Sequence, residues 1–367
     1  MNDQSIKPDT PKAIAQLLFI AAAIGAGIAI AYLLLSSFIV PRIGFPGDLN
    51  RILKLDQRIA IAQANASDAK RIAIVSNSVG VEGIEADYIQ KQLPPGYATE
   101  NQSSNGLDLL SGRLYIGRLL QSNPNTLVWI LRPEVMGKIS PINPELASAM
   151  RFGNFQINAD WINPNPNPDP NPNPNPNHQP YLDQATRDRF NTTDIKNQAS
   201  LRTIPLRHLN EQVRTRTRRG ILPAKPLELN APYQIDANLT GPKLQRHLDD
   251  MVFILQSRTE NDNRDGIAFI EATLLQILQT STTPILVIAP THPGNDEIFG
   301  PMETLFAQQL QHIAGLHNIT LINLTKTLTA QEFADAIHPN RNGAKKLSTL
   351  LGQKLKNHLP ETNRENN

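Results

Sequence analysis

The chain contains no cysteine. That absence excludes a disulfide scaffold, a thiolate zinc site and a cysteine nucleophile. A bias of charge is also missing: 35 Lys and Arg stand against 33 Asp and Glu, for a net charge near +2. A uniformly basic nucleic-acid binder is thereby excluded, and no nucleic-acid partner is expected. His292 and Asp296 invite a metal, but no His, Asp and Glu set has ligand spacing, so neither a metal nor another cofactor is expected. The most informative absence is local: from Ala13 to Val40 no residue carries a charge. As a helix, 28 residues span roughly 42 Å, more than the ~30 Å hydrocarbon core of a bilayer. A cleaved signal peptide has an apolar stretch of only ~7–15 residues and a small-x-small cleavage site. No such site precedes Pro41-Arg42, so an uncleaved single-pass anchor is expected. Lys7 and Lys12 precede it while Arg42, Arg51 and Lys54 follow, so flanking charge does not set its orientation. A short head and a long tail fit a signal anchor whose C-terminal bulk is extracytoplasmic, periplasmic or at the cell surface, and the lack of cysteine fits an oxidising compartment.

Beyond the anchor, residues 41–70 read as a tether that becomes helical, with apolar residues spaced through Leu49–Ala64. Short apolar runs then alternate with helical periodicity. The runs Arg71–Val75, Ala98–Ser103, Thr126–Leu131, Pro284–Ala289 and Ile319–Leu324 predict strands. Glu82–Leu93, Leu107–Gln121, Leu244–Ser257, Ile267–Gln279, Met302–Leu316 and Asn342–His358 predict helices. This alternation argues for an α/β fold with a parallel sheet covered on both faces. Such folds bind ligands at the carboxyl ends of their strands, so function is sought just after Val75, Ser103, Leu131 and Ala289. Between residues 133 and 240 the alternation stops. Residues 163–177 form a near-perfect Asn-Pro repeat; proline removes amide donors and holds the chain near polyproline II, which makes a stiff solvated spacer. Residues 187–226 hold ten Lys or Arg against three acids, read either as a patch for anionic lipids or polymers or as a solvated charged segment. The expected layout is a cytoplasmic tail at 1–12, a transmembrane anchor at 13–40, a tether at 41–70, an α/β domain at 71–358 interrupted by the insertion 133–240, and a tail at 359–367.

Two short patterns carry chemistry. Directly after the first predicted strand comes Val75-Ser76-Asn77-Ser78-Val79-Gly80 and then a helix. A serine at a strand-to-helix turn stands at the sheet edge beside the positive end of a helix dipole, where a nucleophile and an oxyanion hole can be built together. Serine also caps helices generally, so this signal alone is ambiguous. Near the C-terminus stands Asp335-Ala-Ile-His338-Pro339-Asn340-Arg-Asn342-Gly343. Three residues apart on a turn, the carboxylate can reach the imidazole, fix its tautomer and stabilise the imidazolium. Asn340 or Asn342 can cap the closing helix.

Together these patterns resemble the SGNH/GDSL hydrolase superfamily, whose members place Gly-Asp-Ser after strand one and Asp-x-x-His-Pro-Asn-x-x-Gly before the last helix. The resemblance covers roughly residues 70–132 and 240–358. It implies a three-layer, flavodoxin-like fold with Ser78, His338 and Asp335 as catalytic triad. Ser76 and Asn77 replace the family's Gly and Asp. In Ser103-Ser104-Asn105-Gly106, Gly106 matches the glycine whose amide lines the oxyanion hole beside that of Ser78. The family's third block, Gly-x-Asn-Asp, is replaced by Leu131-Arg132-Pro133-Glu134, which lacks the donor asparagine. With its anchor and insertion the chain is similar to membrane-anchored SGNH-like proteins of envelope O-acylation, such as the D-alanyl transfer protein of teichoic-acid synthesis and the alginate acetylation proteins. That implies a multi-spanning membrane O-acyltransferase as partner and an acylated envelope polysaccharide as substrate.

Two further residues are substrate-side candidates. Arg132 could replace the lost donor as a cationic oxyanion partner, or pair with Glu134. His292 follows the fourth predicted strand and either lines the cleft or is an ordinary loop histidine. Three functions stay open at this point: a serine esterase or O-acyltransferase, an inactive SGNH-like domain that binds polymer or assembles with an acyltransferase, and a surface tether acting through the basic insert.

Overall fold

Apolar runs with side chains directed to both faces become the strands of one parallel sheet. In the computed structural model, which describes residues 10–34, 55–66, 68–135, 238–256 and 260–360, these are β1 (Lys70–Val75), β2 (Tyr97–Asn101), β3 (Thr126–Leu131), β4 (Thr283–Ile288) and β5 (Thr320–Asn323). They lie in the order β2-β1-β3-β4-β5, with every neighbouring pair parallel. All six residues of β3 are buried, and so are all of β1 and β4 after their first residues. Continuous β-branched and aliphatic runs suit such two-sided burial.

The helices are α1 (Thr10–Leu34), α2 (Leu55–Ala66), α3 (Ser78–Gly83), α4 (Ala86–Gln90), α5 (Leu109–Leu120), α6 (Gly241–Gln256), α7 (Glu260–Leu278), α8 (Asp296–Leu316) and α9 (Arg341–Lys356). The two-residue strand period divides the core. Ala73, Val75, Leu127, Trp129, Leu286 and Ile288 belong to one apolar cluster with side chains of α2, α5, α7 and α8, among them Leu55, Leu114, Phe269 and Phe306. Ile72, Ile74, Val128, Ile130, Ile285 and Val287 belong to the other, with Val79 of α3, Ile89 of α4 and Leu347, Leu351 and Leu355 of α9. Helices thus cover both faces, as the alternating pattern predicts.

α1 is long and apolar enough to cross a membrane: its 25 residues extend about 37 Å at the helical rise, and the mean hydropathy of Ile14–Ala31 is 2.3. The Asn-Pro repeat at 163–177, the basic stretch at 187–226, the ends 1–9 and 361–367 and residues 35–54 lie outside the described residues.

Several boundaries differ from expectation for physical reasons. The single helix expected over Glu82–Leu93 is two short helices, because the chain turns extended at Ile84 and Glu85. Distant side chains satisfy that break: Asn101 Nδ2 donates to the Ile84 carbonyl at 2.7 Å, and the Glu85 amide donates to Ser348 Oγ at 2.9 Å. α8 begins at Asp296 rather than Met302 and carries Pro301 within it. The amide that proline lacks would have bonded the carbonyl of Glu297, an exposed residue open to solvation. Leu55, Ile59, Ala62 and Ala66 of α2 are buried, so the end of the expected tether belongs to the folded unit.

Candidate active site

In the order β2-β1-β3 the chain leaves β1 for one neighbour while β3 lies on the other side, which opens a crevice at their carboxyl ends. Val75, Asn77, Asp108, Trp129 and Val135 line a recess there, with room for about one water molecule. The turn from β1 into α3 is fixed by its own polar residues. Ser76 Oγ donates to the Ile130 carbonyl at 3.0 Å, and the Val79 amide donates to Asn77 Oδ1 at 3.0 Å, so Asn77 caps α3. Ser78 is therefore the first residue of the helix, half-buried, with an amide from the turn that a helix leaves without an intrahelical partner. Gly80 lets this helix sit close to the sheet, because a Cβ there would lie 2.3 Å from Ser103 Oγ and 2.4 Å from Ser76 Cβ.

The residues Phe333–Asn340 form a tight loop closed by an antiparallel bridge between Phe333 and Pro339. Asp335 Oδ1 accepts the amides of Ile337 and His338, each at 2.7 Å. Its Oδ2 lies 2.9 Å from His338 Nδ1. On the other side of the ring, His338 Nε2 lies 2.9 Å from Ser78 Oγ, across 260 positions of sequence. A carboxylate can only accept, so Nδ1 carries a proton, and in the neutral ring Nε2 is left to accept from the serine hydroxyl. Burial pushes the Asp335 carboxyl up, but the His338 imidazole and the two loop amides outweigh it and hold the group at about 2. An ionised Asp335 facing a neutral imidazole is the state that draws a proton from a hydroxyl.

Asn340 caps α9 by accepting the Gly343 amide at 3.0 Å. At Gly343 the approach is closer still: a Cβ would stand 2.0 Å from the Glu332 carbonyl oxygen. The motif's glycine is thus a contact requirement of the loop that holds His338.

Ser78, His338 and Asp335 meet; the other sequence candidates take different places. Gly106 lies in the exposed turn between β2 and α5 at φ 70°, in the left-handed region that favours glycine. Its loop runs beside that of Ser78, since the Ser104 amide donates to the Ser76 carbonyl at 3.1 Å. Arg132 is buried, and its Nη1 donates to the Ile337 carbonyl at 2.6 Å, bracing the residue before His338. Its Nε stands 2.6 Å from Glu134 Oε1, close but not aligned as a hydrogen bond, so that contact is an ion pair. The pairing with Glu134 is thus present, and Arg132 Nη2 makes no hydrogen bond among the described residues. His292 is buried, accepts the Gly294 amide on Nδ1 at 2.9 Å and packs edge-on against Phe333. Burial lowers its pKa, against the opposing pull of Asp335 and Asp296.

Sequence reasoning named Asn77 without its capping role and did not single out Asn101 or Arg58, whose contacts are with residues distant in sequence; the pattern Asn-Ser before a helix was the available signal for the cap. Among the described residues no group of His, Asp and Glu is arranged to hold a metal ion. No family model matches the chain, and no curated protein matches it.

Proposed function

We propose that the chain is a membrane-anchored serine acyl-esterase or O-acyltransferase of SGNH type, acting on a cell-envelope or exported polysaccharide. The observation that carries this reading is the line of two 2.9 Å contacts from the Ser78 hydroxyl through His338 to Asp335, at the carboxyl edge of a parallel sheet. His338 Nε2 takes the hydroxyl proton as Ser78 Oγ attacks the carbonyl carbon of an acyl ester or thioester. The amides of Ser78 and Gly106 hold the developing oxyanion. His338 then returns the proton to the leaving oxygen or sulfur, and an acyl-serine forms. In the second half, water or a sugar hydroxyl gives its proton to His338 and attacks the acyl-serine, which releases acid or acylated polymer and restores Ser78. The apolar helix α1 supports a place at the membrane beside a multi-spanning O-acyltransferase that would supply acyl groups.

A second reading, an inactive SGNH-like domain serving as polymer-binding or assembly partner, is favoured by one observation. Arg132-Pro133-Glu134 stands where a donor amide is expected, and Arg132 is already engaged by Ile337 and Glu134. A missing oxyanion donor costs about 10²–10³ in rate. A fluorophosphonate probe separates the two readings. Covalent labelling of the wild-type protein that is lost in Ser78→Ala supports catalysis. Equal labelling of both proteins, or of neither, overturns it, and polymer acylation surviving in Ser78→Ala cells would favour the assembly role.

A further inference from the structure

Arg58 lies on α2, outside every motif, yet it is 1% exposed. Burial lowers its pKa, against the opposing pull of Tyr115 and Glu100. A guanidinium enters a protein interior at a large desolvation penalty unless its donors are used. Here the two terminal nitrogens are turned to the end of β2, while Nε makes no hydrogen bond among the described residues: Nη2 donates to the Asn101 carbonyl, and Nη1 reaches the Ser103 carbonyl at 3.5 Å. Among the described residues β2 is an edge strand, with a neighbour on one side only. Backbone groups on its outer side must find partners elsewhere.

What Arg58 holds is connected to the nucleophile. Asn101 Nδ2 donates to the Gly80 carbonyl at 2.8 Å and to the Ile84 carbonyl at 2.7 Å, tying down the body and end of α3. Asn101 Oδ1 accepts the Ser103 amide at 3.0 Å, which shapes the loop that leads to Gly106. α3 has six residues, too few to persist without tertiary support. Its first residue is Ser78. From α2 through β2 to α3 the contacts are direct, and each residue along them is buried.

We infer that Arg58 is a positioning residue for Ser78: by fixing the end of β2 it sets Asn101, which in turn holds the helix that carries the hydroxyl. The helix that follows the membrane-anchor segment in the chain is therefore part of the site's scaffold. This rests on the catalytic reading above, and the test keeps the two separable.

The test uses the full-length protein in detergent micelles, with Arg58→Met, which keeps the buried stem but removes the donors, and Arg58→Lys, which keeps a charge. Amide hydrogen exchange should quicken by about tenfold or more across Val79–Ile84 and Gln102–Leu107, with β4 and α9 unchanged. The fluorophosphonate rate constant should fall about ten- to a hundredfold, the scale of a small misplacement of reacting groups, with Arg58→Lys between Met and wild type. Unchanged exchange in those two segments overturns the inference. So does exchange that rises equally throughout the sheet, which would mark Arg58 as merely structural. Labelling at the wild-type rate in a variant with quickened exchange also overturns it. If Arg58→Met fails to fold, the same criteria are read on Arg58→Lys. Absent labelling of wild-type protein would sink the catalytic reading alone, because exchange still decides whether Arg58 holds α3.

Discussion

The acid–base half of the candidate site and its nucleophile half are built in different ways. Asp335, His338, Asn340 and Gly343 are neighbours in sequence, and their own backbone supplies most of what holds them, with one distant brace from Arg132 to the Ile337 carbonyl. Asp335 takes two amides of its loop, the Ala334 amide donates to the His338 carbonyl at 2.8 Å, and the Asn340 amide donates to the Glu332 carbonyl at 2.9 Å. Around Ser78 the local cap from Asn77 is joined by ties from far away, through Asn101, Ser348 and, at one remove, Arg58. The contrast extends to the carboxylate in each half. Burial raises both groups. Asp335, with an imidazole and two amides, still falls to about 2, whereas Asp108, capping α5 with the neutral donors of Ser111 and Leu110, rises to about 6. A partner that can become charged separates the two. The acid–base half is arranged to keep a negative charge, while the nucleophile half tolerates one only as a helix cap.

The strongest way to break this comparison is Asp335→Asn. An amide cannot hold Nδ1 protonated and Nε2 free in the same manner, and the fluorophosphonate rate constant should fall by about 10³–10⁴. A fall of less than tenfold would mean that charge at Asp335 is not what its half of the site provides. The same carboxylate makes a prediction for stability. Its folded pKa of about 2 lies below the ordinary 3.8, so its contribution is present above pH ~4 and is lost as the pH falls toward ~2. The difference amounts to about 2 kcal/mol. Thermal melts of wild type and Asp335→Asn should therefore converge below that window.

Next in size is Gly343→Ala, which tests the local half by sterics. The new Cβ would meet a backbone oxygen at 2.0 Å, and a carbonyl in a closed loop cannot rotate away like a side chain. Destabilisation of about 2–4 kcal/mol is expected in urea melts, together with loss of labelling. At Gly83 the contact is with Pro339 Cγ at 3.0 Å, and alanine there should be milder. Equal effects would erase the distinction between a locally closed loop and a packed surface.

The same division explains what could be read from sequence. β1, β3 and β4 were legible because each is an uninterrupted apolar run with strong β-formers, and the long apolar helix α1 because composition marks it as able to span a membrane. The Asp335–His338 contact was legible because it is a three-residue spacing on a turn. Pairing Ser78 with His338 was legible only through the family resemblance, which implies both as members of one triad; no local spacing links residues 260 positions apart. The break at Ile84 and Glu85 was not legible. Gly83 weakens the helical pattern there but does not by itself end it; the alternative hydrogen bonds come from Asn101 and Ser348. Arg58 escaped for the same reason, since an arginine in a tether normally reads as solvated. Arg132 was singled out for its place after β3, but only the fold shows that Ile337 lies opposite its guanidinium.

The smallest expected effect is also the one with the opposite sign. Asp108 has a folded pKa of about 6, above the ordinary 3.8. Its favourable contribution is therefore fully present below pH ~4 and is lost as the pH rises through ~6. Asp108→Asn keeps a capping oxygen for the Ser111 amide, which now lies 2.7 Å from Oδ1, and removes the charge that burial penalises. The variant should be more stable than wild type at pH 8, by on the order of 1–2 kcal/mol, with the gap closing below pH 4. Relative to wild type, the Asp108 variant would thus gain stability as the pH rises from ~4 through ~6, whereas the Asp335 variant loses it as the pH rises from ~2 to ~4. If Asp108→Asn instead weakens the protein at pH 8, the carboxylate has a charged partner in solution. The two halves would then differ in where their ties come from but not in how they treat a buried negative charge.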